Sequence, residues 1–401
     1  MPSVVIEGAG NAGRAVHAPR FLEAGYKVTL VDVNPGLVGH LKKEGKYTVE
    51  VVGDGAKTYD VSGFEMLHGN EDRDAVVARI RDADLAITAV GERALPFIYP
   101  VFAEALGQRG RPLSVILAEN MGQPETVFRQ GINDIDPAAA SEDMLYLTGA
   151  CIGTMMPLPV KGEFSVVRRE AYDKVIIANQ AFPDGFPQVP NLEGVHNFPA
   201  HLSEKLLVHN GGHSALAYFA HQYGIDYIWE AAARSDLMGY ARAVMDLAGE
   251  VLVREHPDDF DEAYMQAHTA DLEARFGNQR LGDTVYRVGK DLLRKLGPTD
   301  RLAPTVRLAQ KYGLDPDPVL RAIGVGIFFY DAVDEDGKPH AGDAAVRDIF
   351  MNEGHMDDGD GHSGVRNVLT AVCNFDPQVD SAIIDRTYQL AEEFNQSVHS
   401  K

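Results

Sequence analysis

Short apolar segments alternate with amphipathic helical segments through the first half of the chain. Ser3–Glu7 and Lys27–Asp32 are apolar enough to predict buried strands, and a helical pattern that runs to about Glu23 separates them. Residues 83–91 and 113–118 repeat the strand pattern. Strands that alternate with helices predict a parallel, doubly wound sheet of the Rossmann type.

The second half of the chain has a different pattern. After Ala200, apolar residues recur three and four positions apart almost throughout, which predicts a bundle of helices. Prolines interrupt short apolar runs between residues 154 and 199, and this texture predicts irregular strands and loops that end at a domain boundary. We therefore predict an α/β protein with a Rossmann-type domain over residues 1–198 and a mainly α-helical domain over residues 199–401.

A glycine motif follows the first predicted strand directly. Gly8-Ala-Gly-Asn-Ala-Gly13 has the spacing of a dinucleotide-binding loop, although a glycine-rich turn of another α/β protein is the alternative. Asp32 ends the next strand, where a carboxylate binds the 2′-hydroxyl of NAD and repels the 2′-phosphate of NADP. We therefore predict NAD as the cofactor, with contacts from Gly8, Gly10, Asn11, Gly13, Asp32, Thr88, Val90 and Gly91.

Composition narrows the class of protein. The formal net charge of −22 disfavours a nucleic-acid partner, because binding a phosphate backbone needs a basic surface. No apolar run is long enough to cross a membrane, and the N-terminus lacks the pattern of a signal peptide. Only 2 cysteines are present, which favours a reducing, cytoplasmic setting. We expect a monomer or a small homo-oligomer without a metal site.

Three chemically useful side chains lie within nine residues, Lys205, Asn210 and His213. A lysine with a lowered pKa can remove an alcohol proton, and an amide can hydrogen-bond the developing oxygen. Gly211 and Gly212 are costly inside a helix, which favours a close approach to the backbone there. The alternative is a surface lysine, a capping asparagine and a core histidine.

A cluster of basic residues stands out in this acidic chain. If the segment is one helix, Arg287, Lys290 and Arg294 share a stripe, which would suit a phosphate or a carboxylate of the substrate. The alternative is a solvated face on which Asp291 pairs with Arg287 and Lys295. By contrast, His355-Met-Asp-Asp-Gly-Asp-Gly-His362 lacks calcium-loop spacing and predicts an exposed acidic loop.

Together these motifs resemble the polyol-specific long-chain dehydrogenases, the mannitol dehydrogenase family, from residue 1 to about residue 330. The resemblance rests on the glycine motif, Glu119-Asn-Met121, the Lys-x4-Asn-x2-His of residues 205–213, and Arg275-Phe-Gly-Asn with the basic segment behind it. It implies a metal-independent alcohol–ketone dehydrogenase in which Lys205 is the base. Asn120 and Asn210 would bind the reacting oxygen, and His213 would position the substrate.

The resemblance also bears on the substrate, a sugar alcohol or a sugar phosphate. It places Arg287, Lys290 and Lys295 at substrate-contacting positions, with Arg294 beside them, and a basic residue at position 290 is typical of sugar-phosphate members. A hexitol phosphate such as mannitol 1-phosphate is therefore expected. However, the family's Val-Asp-Arg-Ile is replaced here by residues 152–155, so the aspartate that contacts a substrate hydroxyl is missing.

Three alternatives remain open from the sequence. A keto-hexuronate reductase would use the basic cluster for a carboxylate. A non-catalytic NAD-binding regulator would be consistent with the loss of the aspartate. A likeness to the β-hydroxyacid dehydrogenases is disfavoured, because their spacing between lysine and asparagine is shorter.

Overall fold

A computed structural model describes residues 1–351 and 361–399. The chain forms two compact units, Met1–Phe198 and a second unit that begins at Pro199. The first unit is built on a mostly parallel sheet and the second is helical, so the predicted fold class is confirmed.

The first unit contains one large sheet and one small sheet. The strands are β1 (Ser3–Glu7), β2 (Lys27–Asp32), β3 (Lys46–Val52), β4 (Lys57–Ser62), β5 (Glu65–His68), β6 (Leu85–Thr88), β7 (Leu113–Leu117), β8 (Leu145–Ile152), β9 (Val166–Glu170), β10 (Val175–Ala178) and β11 (Leu192–Val195). The large sheet has the order β11-β10-β8-β7-β6-β1-β2-β5, and the small sheet has the order β4-β3-β9. Within the large sheet, every pair of neighbouring strands in the stretch β8-β7-β6-β1-β2-β5 is parallel. This strand order is that of a dinucleotide-binding fold.

Helices flank the large sheet and explain why its strands are apolar on both faces. On β1, Val4 and Ile6 pack into one buried cluster while Val5 packs into another, because successive side chains of a strand point to opposite faces. The flanking helices are α1 (Ala18–Glu23), α2 (Pro35–Glu44), α3 (Arg73–Asp82), α4 (Leu95–Gly107) and α5 (Pro124–Asn133). A π-helical turn, Gly13–His17, precedes α1.

The region that the sequence predicted as irregular, residues 154–199, contains three short strands joined by loops. Of these strands, β10 pairs antiparallel with β8 and parallel with β11, so it extends the large sheet. The third of these strands, β9, belongs to the small sheet, where it pairs parallel with β3. The prolines interrupt the strands rather than exclude them.

The described part of the second unit is helical, apart from turns and one isolated bridge. Its helices are α6 (Phe198–Glu204), α7 (Gly211–His221), α8 (Ile228–Ala232), α9 (Ser235–Glu255), α10 (Glu262–Phe276), α11 (Val285–Gly289), α12 (Leu292–Lys295), α13 (Ala303–Tyr312), α14 (Asp317–Ile327), α15 (Ala341–Phe350), α16 (His362–Ala371) and α17 (Ser381–His399). The apolar spacing of residues 227–254 predicts one helix, and this prediction is wrong, because Arg234 has an extended backbone and separates α8 from α9. No described helix is both long and apolar enough to span a membrane.

Close helix packing positions the segment that carries the candidate catalytic residues. A β-carbon on Gly212 would lie 2.3 Å from Cγ of Met245 on α9, so α7 and α9 can approach only because residue 212 is glycine. Gly326 of α14 is likewise covered by the ring of Tyr218, at 2.6 Å from the position of a β-carbon. The second glycine of the predicted pair therefore serves helix packing.

Candidate functional site

The glycine loop after β1 has the geometry that a bound dinucleotide needs. Gly8 has a φ of +100°, and a β-carbon there would lie 2.3 Å from the carbonyl oxygen of Ala89. A β-carbon on Gly13 would lie 2.0 Å from the carbonyl oxygen of Gly8, so the helix packs tightly against the loop. Gly10 faces open space, with no atom within 4 Å of its β-carbon position, as the approach of a pyrophosphate requires.

Two acidic side chains hold the loops at this edge of the sheet. Asp32 accepts hydrogen bonds from the amide of Ala9 at 3.0 Å and from that of Asn34 at 2.9 Å. Glu119, buried after β7, accepts from the amides of Val90 at 3.1 Å and Gly91 at 2.7 Å. A carboxylate has about four acceptor sites, so Asp32 keeps capacity for a ribose hydroxyl. The signal for Glu119 was its position at a strand end.

Other predicted cofactor residues are placed differently. The amide of Asn11 donates to the carbonyl of Pro157 at 3.1 Å and so supports the loop after β8. Thr88 is fully buried, and its hydroxyl has no hydrogen-bond partner among the described residues. In the strand register it lies opposite Glu7, where burial first and then the charge of Asp32 raise the pKa to about 8. In the sequence, Glu7 carries no signal beyond its place at the end of β1.

Asn120 lies in the exposed loop between β7 and α5. It is not the cap of α5, because that position belongs to Gln123, which has a left-handed backbone and makes no side-chain cap bond. The sequence alone leaves a turn residue or a helix cap as alternatives for Asn120; the cap of α5 is excluded, and Asn120 is an exposed loop residue after β7.

In the second unit, Lys205–Asn210 forms a π-helical turn that leads directly into α7. On an α-helix, residues five apart are offset by about 140°, since each residue turns about 100°. A π-helix closes hydrogen bonds from i to i+5, so Lys205 and Asn210 lie one above the other. His213 follows three residues later on α7, which keeps it on the same side.

Lys205 and Asn210 have side chains that are available for a ligand. Both are half-buried, and no hydrogen bond or ion pair holds the Lys205 ammonium or the Asn210 amide to another described residue of the unit. The backbone oxygen of Asn210 accepts from Ser214 at 2.9 Å and from Arg301 at 3.4 Å. The turn is therefore anchored through its backbone, while the side chains of Lys205 and Asn210 make no hydrogen bond or ion pair with other described residues of the unit.

Behind the π-helical turn lies a buried carboxylate, Glu204. It accepts a hydrogen bond from Tyr264 at 2.7 Å, and His201 and His268 approach it at 3.3 and 3.5 Å. Burial opposes its ionisation, but the His201 hydrogen bond, the His268 charge and the Tyr264 hydroxyl hold the pKa of Glu204 below its usual value. No periodic pattern in the sequence points to this cluster, because its members come from α6 and α10.

His213 is a neutral imidazole in this setting. Its ring stacks on Phe276 of α10, with centroids 4.6 Å apart and planes 10° apart. Burial and the positive charges of Arg287, Lys295, Arg301 and Arg275 lower the pKa of His213 to about 3. The ring can therefore donate one hydrogen bond and accept one at neutral pH.

The predicted single basic stripe is wrong. The segment forms two short helices, α11 and α12, because the helical backbone is interrupted at Lys290 and Asp291. Asp291 has a left-handed backbone with a φ of +75°. The alternative pairing of Asp291 with Arg287 and Lys295 is wrong as well. Arg294 pairs with Asp291 and with Asp300, each at 2.7 Å, while Lys290 lies 5.2 Å from the centre of the Tyr286 ring.

The break turns Lys295 inward. Its side chain is buried, and its ammonium donates to the carbonyl oxygen of Val288 at 2.7 Å. Burial, followed by the charges of Arg301 and Arg294, lowers the pKa of Lys295 well below its usual value. Arg301, also buried, pairs with Asp300 at 2.6 Å. In the sequence, the only signal for Arg301 is its position directly after Asp300, behind the basic segment.

The segment that departs from the family pattern is closed by an aromatic ring. A β-carbon on Gly153 would lie 3.0 Å from Cε1 of Tyr172, so the ring covers the place where a longer side chain would start. Thr154 is buried, and the amide of Met155 donates to Glu170 at 2.6 Å. The first unit therefore offers no acidic side chain at residues 153 and 154.

Two predictions concern metals and acidic loops. Most of the segment from His355 to His362 lies outside the described residues, so the acidic-loop prediction is not tested. In the parts of the chain that the structure describes, no group of three or more histidine, cysteine, aspartate or glutamate side chains could hold a metal ion.

Comparison with known proteins assigns the chain to a family. Its residues 2–189 match the family model of the mannitol dehydrogenase Rossmann domain, and residues 197–397 match that of the mannitol dehydrogenase C-terminal domain. A mannitol-1-phosphate 5-dehydrogenase of Arthrobacter sp. (strain FB24) is 32% identical over 82% of this chain and 86% of its own length. The enzyme of the same name from Geobacillus thermodenitrificans is 30% identical over 82% of this chain and 87% of its own.

Solved structures agree on the fold. A Pseudomonas fluorescens mannitol 2-dehydrogenase, in a ternary complex with NAD and D-mannitol, superposes with a TM-score of 0.75 at 14% identity and covers 99% of this chain and 93% of its own. A D-sorbitol dehydrogenase in substrate-free form gives 0.79 at 17% identity over 99% of this chain and 94% of its own. On the two family matches and on its similarity to these relatives, the chain belongs to the mannitol dehydrogenase family.

Proposed function

We propose that this chain interconverts a hexitol phosphate and the corresponding keto sugar phosphate, with Lys205 as the proton acceptor. Membership of the mannitol dehydrogenase family makes the chain an oxidoreductase that acts on a polyol CH–OH group with NAD. The observation that carries the proposal is the π-helical turn, which aligns Lys205 with Asn210 and leads into His213.

The first unit has the features of an NAD-binding domain. Gly10 leaves space for the pyrophosphate, and Asp32 stands at the end of β2 for the adenosine ribose. The asparagine after Val33 caps α2 with its side chain, and the residues Val33-Asn34-Pro35 that follow β2 supply no arginine to bind the 2′-phosphate of NADP. When bound, NAD accepts or supplies the hydride. Contacts from Asn11, Thr88, Val90 and Gly91 remain predictions.

The second unit supplies the proton chemistry in this proposal. Lys205, in its neutral form, takes the hydroxyl proton of the alcohol as the C–H bond breaks, and returns it during ketone reduction. The Asn210 amide donates to the reacting oxygen as negative charge develops there, and Asn120 keeps the equivalent role that the resemblance implies. His213 is neutral, so it can accept a hydrogen bond from a substrate hydroxyl.

A phosphate explains the charges that surround the predicted substrate residues. Lys295 and Arg301 are buried; Arg301 pairs with Asp300 and Arg287 with Asp283, whereas Lys295 has no ion pair among the described residues. Buried cations are costly unless an anion approaches them, and a phosphate would supply about two negative charges. The names of the curated relatives support the same substrate class. Because Arg294 is already paired with two aspartates, we give it the weakest part in binding.

The carboxylate of a keto-hexuronate could use the same cations, so the substrate needs a direct test. Initial rates at 340 nm with NAD or NADH should be compared for mannitol 1-phosphate, unphosphorylated mannitol and fructuronate. We expect kcat/KM to be highest for the phosphate ester. A higher value for the uronate would replace the proposed substrate, while oxidation of none of a broad panel would favour an NAD-binding regulator.

The role of Lys205 is tested by Lys205→Ala. Removal of a general base should lower kcat about 10²–10⁴-fold, while NAD affinity, measured by fluorescence titration, stays unchanged. Lys311→Ala is the control, because Lys311 is an exposed lysine of the same unit whose ion-pair partner is the half-buried Glu255. Turnover of Lys205→Ala close to that of the control would remove the proposed mechanism.

A further inference from the structure

Three buried polar atoms meet beside the predicted substrate cations without a hydrogen-bond partner. They are Nε2 of His213, Oδ2 of Asp283 and Nε of Arg287, and the statement covers the described residues. Nε2 and Oδ2 lie 3.7 Å apart, about half an ångström beyond a normal hydrogen bond. Because buried polar groups are almost always satisfied, such a cluster needs a functional explanation.

Asp283 is held firmly by its own backbone and by its neighbours. Its carbonyl oxygen accepts from the amide of Ile228 at 3.0 Å, and Thr284 forms an isolated bridge with Tyr227. Its other carboxylate oxygen, Oδ1, accepts from Arg287 four residues on. Oδ2 has no hydrogen-bond partner among the described residues, and Nε2 of His213 lies 3.7 Å from it.

We propose that Asp283 is a positioning residue that fixes the tautomer of His213. In this arrangement Nε2 carries the proton of the neutral ring and donates a hydrogen bond to Oδ2 of Asp283, so Nδ1 keeps its lone pair. Nε2 is the buried nitrogen of the ring, and Nδ1 is therefore the one that can accept a hydrogen bond from a substrate hydroxyl. This inference rests on the proposed function, because it assigns His213 a substrate to orient.

The charges around the ring decide between two possible roles of an aspartate beside a histidine. A carboxylate can stabilise an imidazolium, or it can select one tautomer of a neutral ring. Four cations, Arg287, Lys295, Arg301 and Arg275, disfavour the imidazolium, and Oδ1 of Asp283 is already shared with Arg287. Tautomer selection is the role that remains.

Asp283→Asn separates this role from a purely structural one. The asparagine oxygen can still accept from Arg287, while its amide nitrogen then faces His213 and donates to Nε2. The ring would adopt the opposite tautomer and present an N–H to the substrate. Since this contact forms in the ground state as well, we expect KM for the substrate to rise roughly 10- to 100-fold, with a smaller change in kcat and unchanged NAD affinity.

The matched control is Asp246→Asn. Asp246 also pairs with an arginine at four-residue spacing, Arg242, but at an exposed position on α9. The control should leave KM within about twofold of the wild-type value. Equal KM values for Asp283→Asn and the control would overturn the inference.

A second measurement does not depend on the variant's folding or on activity. In the NAD-bound wild-type protein labelled with ¹⁵N-histidine, the His213 signals are assigned by comparison with His213→Gln. We expect a protonated Nε2 and an unprotonated Nδ1, and the reverse pattern overturns the inference whatever the variant does. If the expected tautomer is found but no polyol is oxidised, the proposed function fails and the Asp283–His213 pairing stands.

Discussion

Lys295→Met should stabilise the substrate-free protein although it removes a predicted substrate contact. Methionine has nearly the same length as the lysine stem, so it fills the same buried space without the charge. Among the described residues Lys295 makes one hydrogen bond, to the Val288 carbonyl, and the charges of Arg301 and Arg294 outweigh those of Asp291 and Asp300 in lowering its pKa. The substitution therefore exchanges one polar contact for relief of burial and of like-charge repulsion.

The magnitude follows from these two opposing effects. A hydrogen bond from a charged donor contributes about 1.5–3 kcal/mol. Burial of an ion costs several kcal/mol even after relaxation, and replacement of buried charges by apolar side chains is often stabilising by about 1–4 kcal/mol. We expect a net gain of about 1–3 kcal/mol, which raises Tm by roughly 2–4 °C per kcal/mol in a unit of this size.

The difference in the free energy of unfolding between Lys295→Met and the wild-type protein should depend on pH. Because the folded-state pKa of Lys295 lies well below its usual value, the unfolded chain binds more protons between the two pKa values. The wild-type protein therefore gains stability as pH rises towards about 10.5, the pKa of the unfolded lysine. The advantage of Lys295→Met should be largest near neutral pH and should shrink as the pH approaches 10.

Differential scanning calorimetry of the substrate-free protein at pH 7 and pH 9.5 measures both effects. Lys311→Met is the control, because it removes an exposed ion pair with Glu255 and should change the free energy of unfolding by less than about 1 kcal/mol. In the same variant, KM for the phosphorylated substrate should rise at least about tenfold if Lys295 faces its phosphate. A fall in Tm with Lys295→Met would refute the reasoning, since it would mean that the buried charge is compensated in the folded state.

Two further predictions address the cofactor and the helix packing. The wild-type enzyme should have a higher kcat/KM with NAD than with NADP, because Asp32 stands where the 2′-phosphate would lie; a preference for NADP in the same assay would contradict this. Gly212→Ala should lower the free energy of unfolding by about 1–3 kcal/mol in thermal melts, because the added methyl would lie 2.3 Å from Cγ of Met245. Gly211→Ala is its control: the nearest atom would be 3.5 Å away and alanine has the higher helix propensity, so a loss as large as that of Gly212→Ala would contradict the role of the Met245 contact.

Local patterns were sufficient for the architecture. The Rossmann-type sheet followed from apolar runs that alternate with helical periodicity, and the end of α1 at Glu23 followed from the glycine that succeeds it. These features depend on neighbours in sequence, so one chain contains the information. Helix breaks were less predictable: Arg234 and Asp291 interrupt regular apolar patterns, because tertiary packing outweighs local periodicity there.

By itself, the sequence determined the fold class, the glycine loop and the order of Lys205, Asn210 and His213. It could not determine their geometry, because a spacing of five residues aligns side chains only in a π-helical turn, and the backbone there depends on packing against other helices. The tertiary structure also decided which charges are buried. Lys295 looks like a surface residue in a basic run, yet a left-handed residue at Asp291 turns it inward, and Asp283 meets His213 only because distant segments fold together.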